Sequence, residues 1–314
     1  MFPTVRLKPG FLTWLASFDM PEPDTTTHRM QCMEVWGGNQ FVNSAVALSG
    51  LDAWVYSSPH RVGAQESISA VGGGDVHFVS SCASGRITRL LVADVSGHGG
   101  GVHDVALQLR SIMRRYVNYI SPSKFMSAMN DRFASLTQDG CFATAIVATY
   151  FTPTRMLTLC NAGHPAPLLY RRANATWSLL QPSEQDPSEH SELPLGVVNN
   201  TTYRPFCVSL SRGDLVLCYS DSLIEARGKA GELLGTAGLL DLVRTLDAAE
   251  PHRIIPRLIA TLGNLSPDNL GHDDVTTLLF TPNNQRTGWR DNLLAPIRVV
   301  RGWLQGAISG SRLA

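Results

Sequence analysis

The run Val71-Gly72-Gly73-Gly74-Asp75-Val76-His77-Phe78-Val79, followed by Ser84-Gly85 and then Leu90-Leu91-Val92-Ala93-Asp94-Val95-Ser96-Gly97-His98-Gly99, reads as one β-hairpin. Two apolar runs on either side of a Ser-Gly turn are the local signature of antiparallel strands. With the turn centred on Ser84-Gly85, Val76 faces Ala93 and Asp75 stands directly opposite Asp94. Like charges across a ladder are unfavourable unless a cation lies between or beside them, so this register by itself predicts a metal. The plainer alternative is a pair of loop aspartates capping turns.

The rest of the chain has to accommodate that hairpin. Short β-rich runs follow the same style at Asp52 to Ser57, Phe142 to Phe151, Met156 to Asn161, Pro167 to Arg171, Trp177 to Leu180, Asp214 to Asp221 and Asp274 to Phe280. Between them, Val102, Val105, Leu109, Ile112, Met113, Tyr116 and Ile120 recur at helical spacing, and Phe125, Met126, Met129, Phe133 and Leu136 form a second stripe after the cap candidate Ser123. Two further helices are expected near Gly238 to Asp247 and Pro251 to Leu262. Strands grouped in hairpins, with helices inserted in pairs, predict two packed sheets covered by helices, not a doubly wound parallel sheet.

The first part of the chain is harder to read. Residues 1–50 are expected to be a partly irregular N-terminal extension, 51–282 the folded domain, and 283–314 a C-terminal tail with the pattern of an amphipathic helix. In that tail Trp289, Leu293, Ile297, Val300 and Leu304 fall near one face beside Arg290, Arg298 and Arg301, and Pro296 interrupts the pattern. Such a tail docks a partner or a membrane surface, or packs on its own domain; the last is the more common outcome. The polar run Pro182 to Glu192 is expected to be a mobile surface loop.

Charge and cysteine usage exclude several classes. Lys+Arg and Asp+Glu both number 26, and no basic, aromatic-lined stretch occurs, which disfavours nucleic acid. The six cysteines show no paired zinc spacing and lie in apolar runs, which fits reduced thiols and a cytoplasmic setting. No apolar run approaches the roughly 20 residues that span a bilayer, and no cleavable leader is expected.

Two more acidic positions repeat the strand-then-aspartate arrangement of Asp94. Asp221 ends the apolar run from Asp214, and Asp273-Asp274 opens the run ending at Phe280. In antiparallel sheets one strand's start lies beside its neighbour's end, so all four positions can converge on one rim. Oxygen ligands without thiolate or paired histidines favour Mg²⁺ or Mn²⁺ over Zn²⁺.

In order, Gly73-Gly74-Asp75, Asp94-Val95-Ser96-Gly97-His98-Gly99, Asn161-Ala162-Gly163-His164-Pro165, Leu193-Pro194-Leu195-Gly196, Tyr219-Ser220-Asp221 through Glu225-Ala226, and Asp273-Asp274-Val275-Thr276 resemble the motifs of the PPM metal-dependent protein phosphatases. The branch is the bacterial one that contains the stage II sporulation phosphatase and stress-response regulators. The resemblance runs from about Leu51 to Phe280. It implies an α+β fold, an α/β/β/α sandwich of two antiparallel sheets flanked by helix pairs. It also implies two divalent ions, Mn²⁺ or Mg²⁺, with Asp94 bridging them, the Val95 carbonyl on one, Asp221 and Asp273 on the other, and Asp75 beside the site through water. Asp273 is preferred to Asp274 because it is the first of the pair, with Asp274 a substitute. The implied reaction is hydrolysis of phosphoserine or phosphothreonine on a protein, such as an anti-sigma-factor antagonist, under control of a regulatory partner.

The chain departs from the family pattern at Phe78, where a second aspartate is common, and at Ser222, where glycine is usual. Phosphate monoester hydrolysis needs a strong nucleophile and charge neutralisation, and two metals supply both, so no protein nucleophile is expected. His98 is read either as the proton donor to the leaving oxygen or as a turn-stabilising residue, and His164 as a structural hydrogen-bonding residue. Arg61 is a candidate phosphate ligand. The triple glycine lacks the Lys-Ser/Thr of a P-loop and is read as close backbone packing. Two competing readings are a phosphatase-fold module that binds a partner without turnover, and a two-metal hydrolase acting on nucleotides.

Overall fold

The computed structural model describes residues 27–30, 34–60, 73–82, 85–96, 100–117, 119, 121–136, 141–182 and 193–285. Its first strands are β1 (His28–Arg29), β2 (Val35–Gly38), β3 (Val42–Leu48), β4 (Leu51–Ser58), β5 (Val76–Cys82) and β6 (Ile87–Val95). Helices α1 (Gly100–Tyr116) and α2 (Pro122–Leu136) follow. Next come β7 (Ala143–Phe151), β8 (Met156–Ala162), β9 (Leu168–Arg171), β10 (Thr176–Leu179), β11 (Pro205–Ser209) and β12 (Leu215–Tyr219). The short α3 (Ser222–Glu225), then α4 (Gly235–Arg244) and α5 (Pro251–Leu265), precede the last strand, β13 (Val275–Pro282).

Seven strands in the order β1-β3-β4-β13-β12-β9-β10 form one sheet, and six in the order β11-β8-β7-β6-β5-β2 form the other. We refer to them as the β13 sheet and the β6 sheet. Every named pair is antiparallel except β1 beside β3 at one edge. Strand alternation then sorts the side chains into layers. Val79, Leu90, Val92, Ile146 and Ala148 of the β6 sheet meet Val46, Val55, Val216, Leu278 and Phe280 of the β13 sheet in a core between the sheets. Val76, Phe78, Leu91, Ala93 and Ala145 face the other way, against Leu109, Met113, Phe125 and Phe133 of α1 and α2. On the far side, Leu217, Tyr219 and Leu279 pack on Leu239, Val243, Ile255 and Leu258 of α4 and α5. The result is the α/β/β/α sandwich that the sequence leads one to expect.

One boundary is corrected. The end of the segment read as an extension supplies three strands: β3 pairs with β4 along Val42 to Leu48, β2 pairs with β5, and β1 lies beside β3. The strand β11, absent from the sequence reading, caps the opposite edge beside β8. At the other end Asn283 Nδ2 donates to Leu48 O at 3.1 Å and Asp52 Oδ1 at 2.7 Å, which ties the first residues after β13 back to the sheet. The C-terminal tail with its stripe from Trp289 to Leu304, most of the polar run Pro182 to Glu192, and Arg61 lie outside the described residues. No helix among the described residues is long and apolar enough to cross a membrane.

Arg89 fastens the helical layer to the β6 sheet. Its guanidinium donates to the Val117 and Tyr119 carbonyls at the end of α1, and Nε donates to Thr149 Oγ1 at 3.3 Å. It also lies 4.9 Å from the centroid of the Phe125 ring in α2. A buried guanidinium that satisfies two carbonyls after a helix end is costly to remove, because its packing and its charge-assisted hydrogen bonds are lost together. Arg89→Met is therefore expected to destabilise the chain by about 2–4 kcal/mol in urea unfolding. Midpoints that coincide for the variant and the wild type would show that the α1–α2 connection does not depend on it.

Candidate functional site

Strand parity sends the acidic side chains into the gap between the sheets. Asp94 shares the face of Leu90 and Val92, and Asp75 that of Val79, all of which point between the sheets. Register runs as the hairpin predicts, with Val76 opposite Ala93. One step further, Val95 N donates to Gly74 O at 3.4 Å. Asp75 and Asp94 are thus the non-hydrogen-bonded pair between two bonded ones, the arrangement in which cross-strand side chains approach most closely. Phe78, in place of the second family aspartate, sits on the other face, buried against α1 and α2.

The β13 sheet delivers its carboxylates to the same end. Ser220 N donates to Thr276 O and Thr276 N to Ser220 Oγ, both at 2.9 Å, so the end of β12 and the start of β13 are locked side by side. Asp221 follows at the N-terminal boundary of α3, yet its carboxylate makes no capping bond to that helix. Asp273 and Asp274 precede β13 and differ in role. Asp273 is exposed and its Oδ1 accepts from Asp274 N at 2.8 Å.

Asp274 is buried and occupied by backbone. It accepts from the amides of Gly74 and His60 and from Asp75 N at 3.1 Å, thereby tying the entry to β5 onto the start of β13. The glycines make this approach feasible. A Cβ on Gly73 would lie 2.2 Å from Asp274 Oδ2, and one on Gly74 would lie 2.8 Å from Val102 Cγ1 and 3.1 Å from Val95 O. Close packing, as read from the sequence, is what the triple glycine provides at these two positions. Asn39 adds a further tie, donating from Nδ2 to Gly73 O at 3.1 Å and lying 3.2 Å from His103 Nδ1.

Electrostatics show how crowded the rim is. Burial and the carboxylates of Asp221, Asp273, Asp274 and Glu225 push Asp94 up to about 7. Asp75 rises well above the ordinary carboxylate range through burial, Asp94 and Asp274, despite its hydrogen bonds to Thr276 and Ser220. Asp221 is raised by burial, Glu225 and Asp273. Asp75 Oδ2 is buried without a hydrogen-bond partner. Five aspartates and Glu225 therefore act on one another electrostatically. Among the described residues, however, no three acidic, histidine or cysteine side chains are gathered closely enough to hold one ion by themselves. His98 lies outside the described residues. His164 bonds to Thr144, in keeping with a structural role. Sequence reasoning did not single out Asn39 or the backbone role of Asp274, and it quoted Glu225 only as part of a motif.

A four-layer sandwich with carboxylates from both sheets at one end is the architecture of the PPM, or PP2C, phosphatases. Within that class the chain belongs to the SpoIIE family: the family model described as Stage II sporulation protein E (SpoIIE) matches residues 84–283, more than half of the chain. The phosphoserine phosphatase RsbU of Bacillus subtilis (strain 168) is 25% identical over 210 residues, which make up 65% of this chain and 57% of RsbU. The match thus spans little more than half of that relative. A solved structure of the RsbU and RsbW domains of Rv1364c from Mycobacterium tuberculosis has a TM-score of 0.59 at 29% identity, covering 79% of this chain and 63% of that one. The PP2C phosphatase domain of SpoIIE from Bacillus subtilis, solved with a fragment of its regulatory domain, has a TM-score of 0.57 over 80% of this chain and 64% of that one. At 16% identity this last likeness is one of fold alone.

The raised pKa of Asp94 gives a signed prediction for the metal-free chain. A carboxyl that titrates near 7 in the folded state and near 3.8 unfolded leaves stability intact below about pH 4 and removes it as pH rises to about 7. Asp94→Asn should therefore raise the melting temperature in EDTA at pH 8, by roughly 2–4 °C per kcal/mol of repulsion relieved, and do little at pH 4. Comparing variant with wild type separates this from His77 and His164, whose lowered pKa values act in the opposite sense at acid pH. A variant less stable than wild type at pH 8 would contradict the account of the rim.

Proposed function

We propose that this chain hydrolyses phosphoserine or phosphothreonine on a protein substrate, using two divalent ions, Mn²⁺ or Mg²⁺, held at the acidic rim. The observation that carries the reading is the delivery of Asp75 and Asp94 from one sheet, and Asp221 and Asp273 from the other, to the same end of the sandwich. The residues suit such ions. The donors are hard oxygens, three of the carboxyls are raised above the ordinary carboxylate range by burial and by neighbouring carboxylates, and one buried carboxylate oxygen has no partner. Since no three such side chains among the described residues close on one point, each ion would also need backbone carbonyl and water ligands, which Mg²⁺ in particular accepts.

In this reading Asp94, the Val95 carbonyl, Asp221 and Asp273 would hold the ions, with Asp75 beside the site through water. When bound, the ions supply an acidified water as the nucleophile and neutralise charge on the phosphoryl oxygens. The protein's own contribution is rigidity. Asp274 is spent on backbone amides and holds the Asp75 loop against β13, and Gly73 and Gly74 keep side chains out of that contact. Asp221 is left uncommitted by its helix. The kinship with RsbU, a phosphoserine phosphatase, supports phosphoserine as the substrate group, and the motif resemblance implies an anti-sigma-factor antagonist as the protein that carries it, with a regulatory partner controlling access. A silent phosphatase-fold binding module is the competing reading, and the lack, among the described residues, of three side chains gathered to hold one ion is what favours it.

Hydrolysis of p-nitrophenyl phosphate and of a phosphoserine peptide decides between the two. Activity should require Mn²⁺ or Mg²⁺, vanish in EDTA, and fall by roughly 100-fold or more in Asp94→Asn and Asp221→Asn. Turnover that persists in both variants would overturn the assignment of these residues; no turnover with any metal would favour the binding module.

A further inference from the structure

The connection from β8 to β9 crosses from the β6 sheet to the β13 sheet. It is a fastened turn. Asn161 Nδ2 donates to His164 O and His164 N donates to Asn161 Oδ1, both at 2.8 Å, while Gly163 adopts a φ of +70° and bridges to Ala145. A left-handed residue at that point favours glycine. The turn presents the His164 side chain, 4% exposed, between the two sheets.

On one side, His164 Nδ1 lies 3.0 Å from Thr144 Oγ1. Thr144 is the cross-strand partner of Asp94 and shares its inward face. On the other side, Nε2 is buried without a hydrogen-bond partner, and the tie to β12 is made by the turn itself. Tyr219 reaches back to the same turn, its hydroxyl donating to Ala166 O at 2.8 Å. Two residues further on stands Asp221. His164 and its turn therefore span the gap between β7, the strand paired with the one that carries Asp94, and β12, the strand that leads to Asp221. Burial keeps the ring neutral, down to about 4, so it does not act as a proton donor to substrate at neutral pH.

We propose that His164 is a positioning residue that sets the separation of the two sheets at the acidic rim, and with it the spacing of Asp94 from Asp221. The inference rests on the reading of that rim as a metal site. An ion shared by carboxylates from two sheets tolerates only about 0.5 Å of misplacement, so a strut between those sheets governs affinity without touching the ion.

The test is the apparent Kd for Mn²⁺ by calorimetry, alongside melting temperature in EDTA, for wild type, His164→Ala, His164→Asn and Thr144→Val. Removing either partner of the strut is expected to weaken Mn²⁺ binding by about tenfold with the far-UV spectrum unchanged. His164→Asn, whose amide can take the place of Nδ1 opposite Thr144, should bind close to wild type. If His164→Ala and Thr144→Val lose thermal stability but bind Mn²⁺ as wild type does, His164 is packing only and the proposal fails. If His164→Ala does not fold, Thr144→Val decides alone. Wild type that binds no Mn²⁺ would instead overturn the metal-site reading itself, and this inference with it.

Discussion

Repulsion between carboxylates is the constraint around which this molecule is organised. Asp94 sits among Asp221, Asp273, Asp274 and Glu225, and Asp75 is buried between Asp94 and Asp274. A loop-built cluster of that kind would spread apart. Here the five aspartates sit at or beside strand ends, where hydrophobic layers on both faces of each sheet leave the backbone little room to yield. The core between the sheets and the two helix-facing cores are what hold the rim together.

Within the rim, roles divide by where each carboxylate finds its hydrogen bonds. Asp274 receives three backbone amides and is structural, and it converts the glycine-rich entry to β5 into a fixed wall. Asp221 receives no cap bond, and Asp75 retains an unpaired oxygen. The neighbouring members of one acidic pair, Asp273 and Asp274, thus differ in use because one is exposed and the other buried against a loop.

How much of this was legible in the sequence follows from how local each signal is. The β5–β6 register was readable because turn, alternation and partner strand lie within about 25 residues, and the helix stripes of α1 and α2 are equally local. Strands β2, β3 and β11 were not. β2 contains two glycines and pairs with β5 far along the chain, β3 has a half-buried and weakly alternating pattern, and β11 carries Pro205 at an edge. Each gains its strand character from a partner that the local pattern does not reveal. The task of Asp274 was hidden for a similar reason: its hydrogen-bond partners at residues 60, 74 and 75 are some 200 positions away. The parity that sends Asp94 inward and Phe78 outward, by contrast, is written in the alternation itself.

The central claim is that the rim exists to hold cations. Equilibrium dialysis of the metal-free chain against Mn²⁺ at pH 8, with the bound metal counted per chain, tests it most directly. The account predicts two ions per chain in the wild type and loss of that binding in Asp94→Asn. A wild-type chain that takes up no Mn²⁺, or an Asp94→Asn chain that still takes up two ions, would contradict it.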